Sequence, residues 1–357
     1  MSEKIKVLVV GAGNMGASHA RAYHKIEGFE LAGVVDRNRE RAARLSSELG
    51  DIAQFDDFEQ ALVSCKPEAV AVCTYPDTHK DFTLKSIEAG AHVFVEKPIA
   101  ETVADAQQIV EMAHRSGKKV VVGYILRHHP AWMKFIELAH TLGKPLVMRM
   151  NLNQQSKGTE WETHKQLLHS MSPIIDCGVH YVDVMCQMTR SKPVQVQAIG
   201  ARLSDEISPT MYNYGQLQVV FEDKSVGWYE AGWGPMISET AFFVKDVVGP
   251  KGCVNIVDPG ALKKSKSSDI NGHTNTNQLL IHSSERDQMG NFTKEDTIID
   301  TSDEPNHQEL CDREQTYFLK TIRENIDLTD HLNDAINSLR IVLAADESVR
   351  TGKVVYL

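Results

Sequence analysis

The sequence predicts an α/β protein in two parts: a doubly wound N-terminal domain over residues 1–125, then an α+β domain over residues 126–357 with a large, mostly antiparallel open sheet. Three observations carry this. Short runs rich in Val and Ile alternate with longer helical stretches through the first part, the pattern of β-α-β units and a parallel sheet. After Tyr124 the rhythm changes to polar-apolar alternation, as in strands with one buried and one wetter face. At 357 residues the chain also has the length of about two domains at ~150 residues each.

Strands are expected at Lys6 to Val10, Leu31 to Asp36, Ala69 to Thr74, His92 to Glu96 and Lys119 to Tyr124. Runs such as Val7-Leu8-Val9-Val10 and Val120-Val121-Val122 are apolar throughout because helices cover both faces of such a sheet. Helical spacing marks the crossovers, Met15 to Lys25, Glu40 to Leu49, His79 to Ala89 and Val103 to Ser116. In the second part a helix from Pro130 to Leu142 precedes alternating strands at Leu146 to Asn153, Val194 to Ala201, Met211 to Glu222 and Ser225 to Trp233. Two late amphipathic segments, Gln308 to Asn325 and Asp334 to Arg350, either cover this sheet or return to the first domain. Between them and the strands, Pro259 to Thr276 is polar and reads as a surface loop.

Composition narrows the function classes. The formal charge of -10 disfavours nucleic acid as a partner, because polyphosphate meets a repulsive mean field. No apolar run reaches the ~18 residues needed to cross a bilayer, and Met1-Ser2-Glu3-Lys4 leads straight into a short apolar run without a cleavage pattern. The expectation is a cytoplasmic protein without a membrane partner. Six scattered cysteines without a C-x-x-C pair indicate neither a disulfide framework nor a zinc ribbon.

Gly11-Ala12-Gly13-Asn14-Met15-Gly16 fits G-x-G-x-x-G between a strand and a helix. In a Rossmann domain Gly11 permits the tight turn, Gly13 the approach of backbone to a pyrophosphate, and Gly16 close helix-to-strand packing, with the helix N-terminus facing the anion. Asn14 and Met15 complete that loop. Asp36 closes the second strand, where a carboxylate accepts from both ribose hydroxyls and repels a 2′-phosphate, whereas Arg37 beside it suits NADP. NAD is the expected cofactor, with NADP possible.

Val95-Glu96-Lys97-Pro98-Ile99 resembles the hallmark of the Gfo/Idh/MocA oxidoreductases, a family that includes glucose-fructose oxidoreductase and inositol dehydrogenase. Asp176-Cys177-Gly178-Val179-His180-Tyr181-Val182-Asp183 is similar to the family's Asp-x-Gly-x-His-x-x-Asp stretch, and Thr74-Tyr75-Pro76 with His79 to its turn after a dinucleotide-domain strand. The resemblance implies that Lys97 lies beside the nicotinamide and hydrogen-bonds the substrate oxygen, favouring the alkoxide-like charge that develops as hydride leaves. It implies a cis Pro98 that aims Lys97, and cofactor contacts from Thr74, Tyr75, Pro76, His79, Glu96, Lys97 and Arg127. Asp176 and His180 are four apart and share one face of a helix. His180 then takes the hydroxyl proton while Asp176 accepts from the substrate or orients the imidazole and Lys97. Where many relatives have two glycines before this stretch, Met171-Ser172-Pro173-Ile174-Ile175 stands here.

Trp161 and His164 are candidate substrate contacts and, with Gln154, Gln155, Trp228 and Trp233, fall where the substrate domain is expected to face the nicotinamide, since aromatic faces stack on sugar rings and amides bind hydroxyls. Arg127-His128-His129 lacks an acidic partner at ligand spacing, so no metal is expected. The reading is an NAD(P)-dependent oxidoreductase acting on a secondary alcohol of a sugar or inositol. The alternatives are a non-catalytic dinucleotide-binding sensor and an NAD-dependent glycosidase of the same fold. A homodimer or homotetramer is expected, its interface on positions such as Val219, Phe221, Phe242 and Val244.

Overall fold

Six parallel strands, β1 (Ile5–Val10), β2 (Phe29–Val35), β3 (Gln54–Phe55), β4 (Ala69–Val72), β5 (His92–Glu96) and β6 (Val120–Gly123), form a sheet in the order β3-β2-β1-β4-β5-β6. The computed structural model describes residues 3–238, 244–257 and 274–357. β4 and β6 are buried at every position and β1 at all but Lys6, as strands covered on both faces must be. Side-chain caps start the crossover helices: Asn38 accepts from the Arg41 amide, Asp57 from Gln60 and Thr102 from Asp105. The two-residue β3 and the helix Phe58–Cys65 escaped prediction, because a pair of residues carries no periodicity and eight carry little.

The helix His307–Arg323 departs from the expected division. The chain forms two units, one of Met1–Ile125 with Asn306–Ile336, the other of Leu126–Pro305 with Asn337–Leu357. Residues 306–336 therefore belong with the dinucleotide-type sheet and not, as expected, wholly with the second domain. The physical reason is the buried face of His307–Arg323: Leu310, Cys311, Gln315 and Phe318 are all inaccessible to solvent. The Phe318 ring lies 6.3 Å from Phe29 and 6.2 Å from Phe94. Gly28 permits the approach, since a Cβ there would run into the Leu319 side chain.

The second unit holds nine strands: β7 (Val147–Gln155), β8 (Pro193–Ala201), β9 (Tyr214–Phe221), β10 (Val226–Gly234), β11 (Lys245–Gly249), β12 (Gly252–Val257), β13 (Gln278–Ser283), β14 (Thr297–Asp300) and β15 (Val355–Tyr356). Their order is β14-β13-β12-β11-β7-β10-β9-β8-β15. All pairings are antiparallel except β7 with β10. β11 to β14 were not foreseen; they are short, and β13 and β14 have mostly half-exposed or exposed residues, which blurs alternation. Most of the predicted polar loop, residues 258–273, lies outside the described residues.

Register corrects the expected interface positions. In β9 the alternation buries Gly215, Leu217, Val219 and Phe221, so Val219 and Phe221 belong to the core face. The opposite face carries a groove whose lining includes Val147, Arg149, Gln218, Val220, Val226 and Trp228. Phe242 lies outside the described residues, and Val244 is half-buried beside the same groove.

Phe318→Ala is expected to cost about 3–5 kcal/mol in the first unit, through lost transfer energy and a cavity beside the Phe29 and Phe94 rings. Urea unfolding followed by a probe in that unit measures it; a loss below about 1 kcal/mol contradicts the packing role.

Candidate active site

The dinucleotide side is built at the carboxyl ends of β1, β2, β4 and β5, next to the point where strand order reverses between β1 and β4. The glycines divide their roles as geometry requires. Gly11 has φ +98°, and a Cβ on it would lie 2.5 Å from the Cys73 carbonyl oxygen. A Cβ on Gly16 would collide with the Gly11 carbonyl. At Gly13 an added Cβ meets nothing within 4 Å, so the loop leaves open room at the helix N-terminus, an arrangement that suits an anion. Asp36 Oδ2 accepts from the Ala12 amide at 2.7 Å and Oδ1 from the Asn38 amide at 2.7 Å. This fixes the carboxylate against the loop while each oxygen keeps a lone pair for a ribose hydroxyl.

The turn after β4 is tied by Thr74 and Thr78, whose hydroxyls are 2.7 Å apart, and by the Thr78 hydroxyl donating to the Tyr75 carbonyl at 2.9 Å. Tyr75 is exposed. His79 is completely buried, with Nδ1 2.8 Å from the Pro98 carbonyl and Nε2 3.0 Å from that of Thr74. Burial lowers its pKa against those two hydrogen bonds. The imidazole thus links the Thr74 turn to the segment that carries Lys97. The Lys97–Pro98 peptide is cis. Lys97 is half-buried, whereas Glu96 points inward to His19 Nε2 at 2.8 Å and accepts the Lys97 amide at 3.2 Å.

In the second unit Ser172 caps the short helix Pro173–Asp176, and a new helix, Gly178–Thr189, begins directly after Cys177. Cys177, the one residue between them, has helical φ and ψ of -89° and -37°, so the backbone keeps helical geometry from Asp176 to His180. Asp176 ends the first segment and His180 stands in the first turn of the second, with both residues half-buried. The Ser172-Pro173 start, in place of glycines, sets this early helix; Ser172 Oγ also donates to Asp346 at 2.7 Å. Gly178 passes close over Tyr229, whose ring a Cβ would meet at 2.8 Å. Cys177 Sγ lies 3.5 Å from Asp176 Oδ2 and 3.6 Å from Gln154 Oε1, and the Trp233 indole donates to that Gln154 oxygen at 2.7 Å. His164 stacks on Trp233 at 4.5 Å and bonds Ser156 at 2.9 Å; burial lowers its pKa, opposed by the negative charges of Asp176 and Glu160.

The N-terminal segment matches the model for the oxidoreductase family with an NAD-binding Rossmann fold over residues 5–124, and residues 135–252 match the GFO/IDH/MocA C-terminal domain. The chain belongs to the Gfo/Idh/MocA oxidoreductase family. It is 25% identical to an inositol 2-dehydrogenase of Serratia proteamaculans over 280 residues, 74% of this chain and 78% of that protein. To a D-glucoside 3-dehydrogenase of Escherichia coli it is 26% identical over 273 residues, 70% and 76% of the two chains. It also shares its fold with a scyllo-inositol dehydrogenase of Lactobacillus casei solved with NAD(H) and scyllo-inositol, at TM-score 0.78 and 20% identity over 99% of both chains. The dinucleotide unit is thus an NAD-binding Rossmann domain of this family, and Gly13 with Asp36 fits that cofactor. Among the described residues no helix is long and apolar enough to cross a membrane.

Several expected contacts of the Gfo/Idh/MocA chain take other places. Glu96 and His79, expected at the cofactor, are buried inside the first unit, where each side chain has partners in the interior. Trp161, expected at substrate, packs in a core cluster with Leu168, Ile207 and Trp233, where its large apolar surface is best covered. His164, expected there too, lies against that cluster through its stack on Trp233. Arg127 makes a bidentate pair with Asp183, at 2.9 and 2.6 Å, which Gln187 joins at 3.0 Å. His19, Tyr23 and Gln315 went unnoticed; His19 had the weak signal of standing three positions after Gly16, and Gln315 had none.

Gly13 has ordinary φ and ψ of -69° and -171°, so Gly13→Val adds bulk without backbone strain. It is expected to weaken NAD binding at least tenfold, about 1.4 kcal/mol, with the melting temperature unchanged. Fluorescence titration and a thermal melt check both; unaltered affinity contradicts the pyrophosphate position.

Proposed function

We propose that the chain is an NAD-dependent dehydrogenase that moves a hydride between nicotinamide and a secondary alcohol of a cyclic polyol or sugar, an inositol or a pyranoside. The observation that carries this is Lys97 at the carboxyl end of β5, on the same sheet edge as the glycine loop and Asp36. The inositol and glucoside dehydrogenases among its relatives support the substrate class. Gly11, Gly13, Asn14, Met15 and Gly16 hold the pyrophosphate, and Asp36 accepts from the ribose hydroxyls. A 2′-phosphate would meet that carboxylate, so NAD is favoured over NADP in spite of the exposed Arg37.

When bound, the nicotinamide supplies the two-electron acceptor. The Lys97 ammonium donates to the substrate oxygen and stabilises the negative charge that grows there as the carbon loses hydride. His180 takes the hydroxyl proton, so alcohol and NAD give ketone, NADH and one proton. Asp176 accepts from the substrate and orients the imidazole. Lys97 supplies the electrostatic assistance in this scheme.

We read the protein as cytoplasmic, in keeping with its six free cysteines, and as a homodimer or homotetramer. The outer groove of the nine-stranded sheet, with Val147, Val220, Val226 and Trp228, supports sheet-to-sheet pairing. Light scattering is expected to give at least twice the 39.8 kDa chain mass; a mass of one chain contradicts the assembly.

Nicotinamide absorbance against inositols, aldoses and glycosides, each offered with NAD and with NADP, tests the activity. NADH formation with a cyclic polyol or pyranoside is expected. His180→Asn is expected to lower turnover by about 10²- to 10⁴-fold with NAD affinity nearly intact. Undiminished turnover in that variant removes His180 from the reaction. Tight NAD binding without oxidation of any alcohol would favour the sensor reading instead.

A further inference from the structure

Inside the first unit a line of hydrogen bonds runs from two helices to Glu96 at the end of β5, the residue before Lys97. Tyr23 Oη donates to Gln315 Oε1 at 2.5 Å, Gln315 Nε2 faces His19 Nδ1 at 2.9 Å, and His19 Nε2 faces Glu96 Oε1 at 2.8 Å. Glu96 Oε2 then accepts the main-chain amide of Lys97 at 3.2 Å. His19 and Tyr23 lie four apart on the helix Asn14–Lys25 that opens with the glycine loop, and Gln315 lies on His307–Arg323. His19, Tyr23 and Gln315 are 0% exposed and Glu96 is 6% exposed.

With a neutral imidazole on His19, the direction of this line follows. Both Glu96 oxygens act as acceptors, so the ring nitrogen facing Oε1 carries the proton. A neutral imidazole then has only a lone pair on Nδ1, which needs a donor, and the amide nitrogen of Gln315 is one. That leaves the amide oxygen as acceptor for the Tyr23 hydroxyl. Reversing any member would set two donors or two acceptors face to face in a site without water access, where an unmatched group costs free energy. Burial pushes Glu314, Cys73 and Tyr23 well above their ordinary pKa values, and the charge of Glu96 adds to each shift.

We propose that Tyr23, Gln315 and His19 form a one-way hydrogen-bond line that holds the Glu96 carboxylate on the Lys97 main chain, which makes them positioning residues for hydride transfer. The inference rests on the proposed role of Lys97. The line links the glycine-loop helix to the lysine, so one set of buried bonds fixes both the end that grips pyrophosphate and the end that meets substrate. None of the three touches substrate; each acts through the next.

The test compares wild type, Tyr23→Phe, Gln315→Met and Lys97→Met, with the alcohol that reduces NAD as substrate. Tyr23→Phe removes one oxygen and keeps the ring, so it serves even where Gln315→Met folds poorly. Expected are kcat losses of about tenfold to hundredfold in Gln315→Met, less in Tyr23→Phe, with KM and NAD affinity within about twofold, since small misplacement of a reacting group has effects of this size. Nitrogen-15 NMR of labelled histidine is expected to show His19 protonated on Nε2 in wild type and a mixed tautomer in Gln315→Met. Wild-type kcat in folded Tyr23→Phe and Gln315→Met, while Lys97→Met is inactive, overturns this inference and leaves the proposed function standing. A proton on Nδ1 of His19 in wild type overturns it as well. Full turnover in Lys97→Met overturns the proposed role of the lysine and this inference with it.

Discussion

The buried hydrogen bond between His19 and Glu96, 2.8 Å long, is the contact on which the first unit is organised. It ties the helix that begins at the glycine loop to the carboxyl end of β5. Lys97 follows directly after the strand, at the cis Lys97–Pro98 peptide. A buried carboxylate is tolerated only where its acceptors are matched, and here the ring and the Lys97 amide do so. The helix His307–Arg323 is then required on this unit, because Gln315 is what satisfies the far nitrogen of His19.

Each unit holds part of the expected constellation within its own packing. In the first, the glycine loop and Lys97 stand at the carboxyl ends of the strands. In the second, Asp176 and His180 are held where the capped helix Pro173–Asp176 gives way to Gly178–Thr189 over the Tyr229 ring. Each is set by packing that has little tolerance: a methyl group at Gly16 or Gly178 meets backbone or an aromatic ring. Gly13 alone of the loop glycines opens onto space, which is where a ligand belongs.

The strands of the first sheet were legible because burial on both faces leaves no room for polar residues, and Val7 to Val10 or Val120 to Val122 admit one reading. The glycine hexapeptide and Asp36 were legible for a related reason, since a carbonyl 2.5 Å from a Gly11 Cβ permits no other residue. What pairs across the chain was not. Gln315 lies 296 residues from His19, and an amphipathic pattern says that a helix has a buried face without saying against what. The place of Trp161 in a core cluster was not legible because an aromatic side chain suits a core as well as it suits a sugar.

Transfer of the carbon-bound hydrogen is the central claim, and isotope labelling reads it most directly. With the alcohol that gives the highest turnover, deuterated at its ring carbons, the account predicts deuterium at C4 of the NADH formed and a primary isotope effect on kcat/KM. Solvent hydrogen at C4, with deuterium retained on the substrate carbon, would contradict it.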